Sequence, residues 1–167
     1  MQENSVAQTR RIVQYIGADT DRFAVLFNLF LNGEYRIIQR ASRVLDLVVE
    51  QYPFLLTPYF PLFLAAMRKP ELPAAVRRNA VRLLQFIDLP KDYHGEITEV
   101  CFQYLHDSMQ APAIKAFSLT VLHRMVTYYP ELKVELQTLL EDRLPYESPA
   151  FRSRGKKILK ALRHNQA

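Results

Sequence analysis

The sequence predicts an all-α solenoid of about four helix pairs, preceded by a short N-terminal helix. One amphipathic helix recurs four times, because its first apolar residues, Ile37, Val76, Ile114 and Phe151, are 39, 38 and 37 residues apart. Apolar or small residues follow at steps of four, three, one and three, which is the spacing of a buried stripe on a helix. A period near 38 residues with one such helix per unit is typical of stacked helical repeats.

The positions within the stripe keep their residue type from unit to unit. The small residues four positions after the first are Ala41, Ala80, Ser118 and Gly155. Pro112 and Pro149 each stand two residues before the first core residue of a helix, where proline fits a helix start. The predicted helices are 6–16, 21–32, 35–51, 58–68, 74–87, 96–108, 112–128, 131–143 and 149–164.

Size and composition favour a single globular domain over residues 1–167, with units at about 21–52, 53–88, 96–128 and 130–164. Cys101 is the only cysteine, so the chain forms no internal disulfide and a reducing compartment fits it. No signal peptide is visible, and the longest apolar run, 54–67, is too short to span a bilayer. We therefore expect a cytoplasmic protein that does not enter a membrane.

Residues 61–87 (PLFLAAMRKPELPAAVRRNAVRLLQFI) resemble a HEAT repeat. Members of that family have an acidic residue in the loop of the pair, here Glu71, and a second helix that opens with Val-Arg-x-x-Ala-x-x-x-Leu, here from Val76 to Leu84. The resemblance implies a right-handed α-α superhelix and a contact between Glu71 and Arg77. The other units match more weakly, since Ile38 takes the arginine position in the first of them.

Charge is distributed unevenly between the two helices of each pair. The second helices, 34–52, 74–87, 112–128 and 149–164, carry 14 Lys/Arg and 3 Asp/Glu, whereas the rest of the chain has a net charge of −6. In the family that the chain resembles, second helices line the concave face, so the resemblance implies a basic inner surface. The candidate contact residues are the cations and the loop aromatic Arg43, Arg78, Arg82, His123, Lys157, Lys160 and Tyr93. The alternative is that these side chains form an ordinary solvated face.

No catalytic or cofactor-binding motif is present in the sequence. The four histidines lack metal-ligand spacing, and Cys101 lies in register with core residues, which predicts a structural thiol. The leading hypothesis is a non-catalytic module that binds an acidic protein or peptide.

Two other functions are open at the level of sequence. One is binding of a nucleic-acid backbone, as in the HEAT-like DNA glycosylases, for which the pI of about 9.4 is suitable and Asp46 is a weak catalytic candidate. The other is a structural subunit with a fixed partner, suggested by the apolar segment 23–31. The oligomeric state is not predicted.

Overall fold

The computed structural model describes the backbone of residues 2–164 and the side chains of residues 6–164. Over this part of the chain every regular element is a helix, so the predicted all-α class is confirmed. The α-helices are α1 (Gln2–Ile16), α2 (Thr20–Asn32), α3 (Tyr35–Gln51), α4 (Phe60–Met67), α5 (Ala74–Leu84), α6 (His94–His106), α7 (Pro112–Tyr128), α8 (Leu132–Arg143) and α9 (Pro149–His164). Short 3₁₀ turns cover Pro53–Leu55, Thr57–Tyr59 and Lys91–Tyr93.

The chain divides into two compact units, Met1–Pro90 with α1 to α5 and Lys91–Ala167 with α6 to α9. In the first unit, α3 packs against α1, α2 and α5. In the second unit, α7 packs against α6, α8 and α9. The central element of each unit is therefore a second helix that carries the apolar stripe. A single domain over residues 1–167 stays a prediction.

The apolar stripe is buried as the sequence predicts, with one exception. Val76, Ile114 and Phe151 are at most 1% exposed, but Ile37 is 38% exposed. Ile37 lies in the first turn of α3, directly after the α2–α3 turn at Gly33, where a Cβ atom added to the glycine would lie 2.9 Å from Ile37 Cγ2. The side chain thus covers a turn and not the core, and its assignment to the buried stripe was wrong.

The apolar segment 23–31 is buried on one side only. Phe23, Phe27 and Phe30 are buried, and the ring centroids of Phe27 and Tyr59 are 4.7 Å apart. Val25 and Leu29 are 63% and 41% exposed. The inner side of α2 therefore packs against α3 and against aromatic side chains from the 3₁₀ turn Thr57–Tyr59 and from α4.

Several helix ends differ from the predicted ends. α4 begins at Phe60, because Pro58 and Pro61 favour 3₁₀ geometry and a first-turn position, and α5 ends at Leu84. α6 begins at His94, so the predicted loop 88–95 contains a 3₁₀ turn and the start of a helix.

Arg77 holds the loop of its helix pair through backbone groups. Its Nη2 donates to the carbonyl oxygens of Lys69 and Pro70 at 3.2 Å and to that of Leu72 at 3.3 Å. These carbonyls stand on either side of Glu71, whose side chain is exposed. The resemblance implied that Arg77 contacts the carboxylate of Glu71. In the structure, Arg77 holds this loop through charge-assisted hydrogen bonds to main-chain carbonyl oxygens on both sides of Glu71.

Candidate interaction surface

Each unit has its own candidate surface on its second helices, which are α3 and α5 in the first unit and α7 and α9 in the second. Proline at the first position of α7 and α9 suits a helix start, because that position needs no N–H donor. Ser148 caps α9, since its Oγ accepts a hydrogen bond of 3.3 Å from the N–H of Phe151. Helix packing within each unit brings polar side chains of neighbouring second helices together.

Arg82 on α5 is bound by two carboxylates of α3. Its Nη1 donates to Asp46 Oδ2, and its Nη2 lies 2.6 Å from Glu50 Oε1. The guanidinium carbon also lies 5.4 Å from the centre of the Phe86 ring, within range of a cation–π contact. Arg82 therefore serves mainly to join α3 to α5, and its charge is balanced inside the unit.

Asp46, the aspartate that the sequence offered as a weak catalytic candidate, is fully buried. Its Oδ1 accepts no hydrogen bond from the described residues. Burial raises the pKa of the Asp46 carboxyl to about 6, although the positive charges of Arg82 and Arg43 act in the opposite direction. A carboxyl that is buried on α3 and bound to an arginine of α5 does not face a ligand.

Of the candidate contact residues in the first unit, Arg43 and Arg78 are exposed cations. Neither forms an ion pair with any side chain between residues 6 and 164. The two remaining acids of the second helices are Glu50, which is bound to Arg82, and Glu34, at the start of α3. The exposed charge of α3 and α5 is thus predominantly positive.

Two basic residues of the second unit are used to hold its helices together. Lys115 Nζ lies 2.9 Å from Glu147 Oε1, and both side chains are at most 12% exposed. Arg154 donates from α9 to the carbonyl oxygen of Ala116 and to Thr120 Oγ1, at 3.2 Å each. These two residues therefore add little to an external field.

The remaining cations of α9 point outward. Its sequence has no Asp or Glu. Arg163 is 2.9 Å from Glu141 Oε1 in an exposed pair, where the arginine lowers the pKa of the glutamate. Four exposed cations on this helix form no ion pair within the described residues: Arg152, Lys156, Lys157 and Lys160.

His123 and Tyr93 have environments that differ from those of the cations. Burial lowers the pKa of His123, so this half-buried side chain is neutral at pH 7 and adds no charge to the surface. Tyr93 is half-buried at the residue that precedes α6. The adjacent His94 is buried, and its Nδ1 is 3.1 Å from the Tyr129 hydroxyl, which fixes the start of α6 to the end of α7.

One cation next to the candidate surface was missed at the level of sequence. Arg10 on α1 lines the same groove as Arg43, because α1 packs along α3. Val13 and Ile16, three residues apart and buried, were the available signal that α1 packs as part of this layer. Arg10 lies on α1, outside the four second helices whose charge predicted the basic surface.

Cys101 is buried, and burial raises the pKa of its thiol to about 12, which keeps the thiol protonated. No group of three or more His, Cys, Asp or Glu side chains between residues 6 and 164 is placed to hold a metal ion. Over residues 2–164, no helix has the length and apolarity that a bilayer crossing requires.

A family model described as a HEAT repeat domain matches residues 1–162 of the chain. No curated protein and no solved structure matches it.

Proposed function

The chain belongs to the HEAT repeat family, and we propose that it is a non-catalytic interaction module whose basic second helices bind an acidic protein or peptide. HEAT repeats generally act as protein-interaction scaffolds. For this chain, we infer that the second-helix side of the repeats is the binding side and that the partner is acidic.

The observation that supports it is the separation of paired from exposed charge. Two of the three acids on the second helices are bound to Arg82, and Asp46 is fully buried. Arg43 and Arg78 in the first unit, and Lys157 and Lys160 in the second, are exposed and form no direct ion pair with a carboxylate of the described residues. Exposed cations without internal partners are available to external anions.

The size of the electrostatic contribution follows from this exposure. An exposed ion pair is worth about 0.2–1 kcal/mol, so the two contacts that either unit offers contribute roughly 0.4–2 kcal/mol. The Debye length is about 8 Å at physiological salt, so the attraction weakens markedly as salt is added. Charge therefore accelerates and orients binding, and a stable complex also needs apolar contact.

The alternative is binding of a nucleic-acid backbone, and the arrangement on α9 favours it specifically. Arg152, Lys156 and Lys160 are spaced four residues apart, which places three exposed cations in one stripe along the helix. Such a stripe can contact successive phosphates without reading sequence.

Fluorescence anisotropy separates these two functions. Labelled poly-glutamate, duplex DNA and single-stranded RNA are titrated with the full chain at about 50 and about 150 mM salt. Lys157→Glu/Lys160→Glu should weaken binding of the true ligand class by roughly tenfold, because two attractions become repulsions. The matched control is Lys69→Glu/Lys91→Glu, which makes the same charge change at exposed sites outside the second helices.

Three outcomes are informative. Poly-glutamate binding at the higher salt that falls in the α9 variant and not in the control supports the protein-binding function. Preference for nucleic acid, with a logarithmic salt slope that corresponds to several phosphates, supports the alternative. Equal loss in both variants means that net charge alone drives the binding, which contradicts a specific basic surface.

A further inference from the structure

A groove of about 570 Å³ runs between α1 and α3 in the first unit. Its volume lies within the range of binding sites for small ligands and short peptide segments. A second groove of about 430 Å³ adjoins it, because Thr9 and Arg43 line both. Two adjoining grooves along a helix pair fit an extended occupant better than a compact one.

The groove is positively charged. Arg10 on α1 and Arg43 on α3 line it from its two sides, and both are exposed. No Asp or Glu is among the described residues that line either groove. Neither guanidinium forms an ion pair with a side chain between residues 6 and 164, so both can bind an external carboxylate in a bidentate geometry.

The groove also offers an apolar surface. Val6 is 53% exposed and Leu47 is half-buried, and both line the groove. Covering this surface with an apolar side chain removes it from water and stabilises a complex in proportion to the buried area. A purely acidic ligand would leave this surface uncovered.

Two side-chain amides complete the lining. Gln14 and Gln51 are exposed in the groove and form no hydrogen bond with side chains or backbone of the described residues. A glutamine amide both donates and accepts, which matches the N–H and C=O groups of a peptide in extended conformation. Phosphate groups and simple carboxylates can use the donors only.

We propose that this groove binds an extended acidic segment of a protein partner, with one apolar side chain on Leu47 and Val6 and carboxylates at Arg10 and Arg43. The inference rests on the proposed function and specifies where, and by which chemistry, the acidic partner is bound. Glutamines at positions 14 and 51 orient the segment through its backbone.

The test is selection from a displayed library of random peptides on the immobilised full chain, at about 150 mM salt. Selected peptides should be enriched in an aliphatic or aromatic residue flanked by Asp or Glu. Affinity of an enriched peptide should fall about tenfold in Arg10→Gln/Arg43→Gln and by a similar factor in Leu47→Ser. Lys69→Gln/Lys91→Gln, which removes the same charge elsewhere, should leave it unchanged.

Chemical-shift mapping with the same peptide locates the contact, and thermal melts show whether each variant is folded. Shifts confined to α1 and α3 support the proposal. Two results would overturn the proposed groove and leave the basic interaction function intact. One is selection of acidic peptides that lack the apolar residue. The other is a peptide that changes the chemical shifts of α5 or α9 and binds both groove variants as tightly as the wild-type chain. Selection of neutral or basic peptides, or of none above background, overturns both.

Discussion

Asp46→Asn is expected to remove the pH dependence of folding stability that comes from the buried Asp46 carboxyl, at the contact between α3 and α5. Burial raises the pKa of the Asp46 carboxyl from 3.8 to about 6. Between these values the folded protein keeps a proton that the unfolded chain has released. The stabilisation from this group is therefore full below pH 3.8 and is lost as the pH rises through about 6.

The magnitude follows from the difference between the two pKa values. At about 1.4 kcal/mol for each pKa unit, a pKa that moves from 3.8 to about 6 corresponds to about 3 kcal/mol across the whole range. The sign shows that loss of hydration at Asp46 outweighs attraction by Arg82. The carboxylate at neutral pH thus makes folding less favourable than a protonated carboxyl would, despite its ion pair.

The assay is urea unfolding followed by circular dichroism at about pH 4.5 and about pH 7.5. As the pH rises, the wild-type chain should lose about 2 kcal/mol of unfolding free energy relative to Asp46→Asn. A difference between the two proteins that stays constant within the error of the extrapolation would refute the reasoning. It would mean that Arg82 and the surrounding dipoles fully replace the hydration of Asp46.

Arg82→Met tests the same cluster from its other side. Removing the cation leaves Asp46 buried without its partner, and breaking such a pair costs about 3–5 kcal/mol at neutral pH. The loss should be smaller near pH 5, where Asp46 takes up a proton. The double variant Asp46→Asn/Arg82→Met should recover much of it, whereas additive losses would argue against direct coupling.

The remaining predictions concern the second unit. Lys115→Met should destabilise the chain in urea unfolding by less than the roughly 3–5 kcal/mol of a fully unpaired buried charge, because Glu147 keeps only Arg143, 3.9 Å away, and adding Glu147→Leu should restore much of the loss. Gly155→Val should lower the melting temperature, since a Cβ atom there lies 2.9 Å from Leu140 Cδ2 and overpacking costs about 1–3 kcal/mol; Gly155→Ala serves as the milder control. Cys101 should resist thiol reagents at about pH 8 until urea unfolds the chain, and prompt labelling of the native protein would contradict its burial.

The architecture was predictable because the apolar stripe of the second helix recurs in every repeat unit. Burial of Ala80, Ser118 and Gly155 follows from their register alone. The predicted burial of Ile37 was wrong, because burial at the first turn of a helix depends on which element covers that turn. Periodicity within the helix carries no information about the covering element.

The candidate surface was only partly predictable, because counting charged residues does not separate paired from exposed charge. Arg82 and Lys157 contribute equally to the net charge of the second helices, yet the first is bound to two carboxylates and the second is exposed. Arg154 was counted with the α9 cations, although its guanidinium is held by α7.

The repeat period itself contains much of the missing information. Three polar contacts between neighbouring second helices join residues about one period apart: Ser42 with Asn79 at a separation of 37, Asp46 with Arg82 at 36, and Ala116 with Arg154 at 38. Stacked repeats place equivalent positions side by side, so a polar residue's partner is found roughly one period along the chain. By this rule Arg82 pairs with Asp46 and does not belong to the exposed cations. Arg43 and Lys157 remain exposed under the same rule, and it is these cations that the binding experiments should vary.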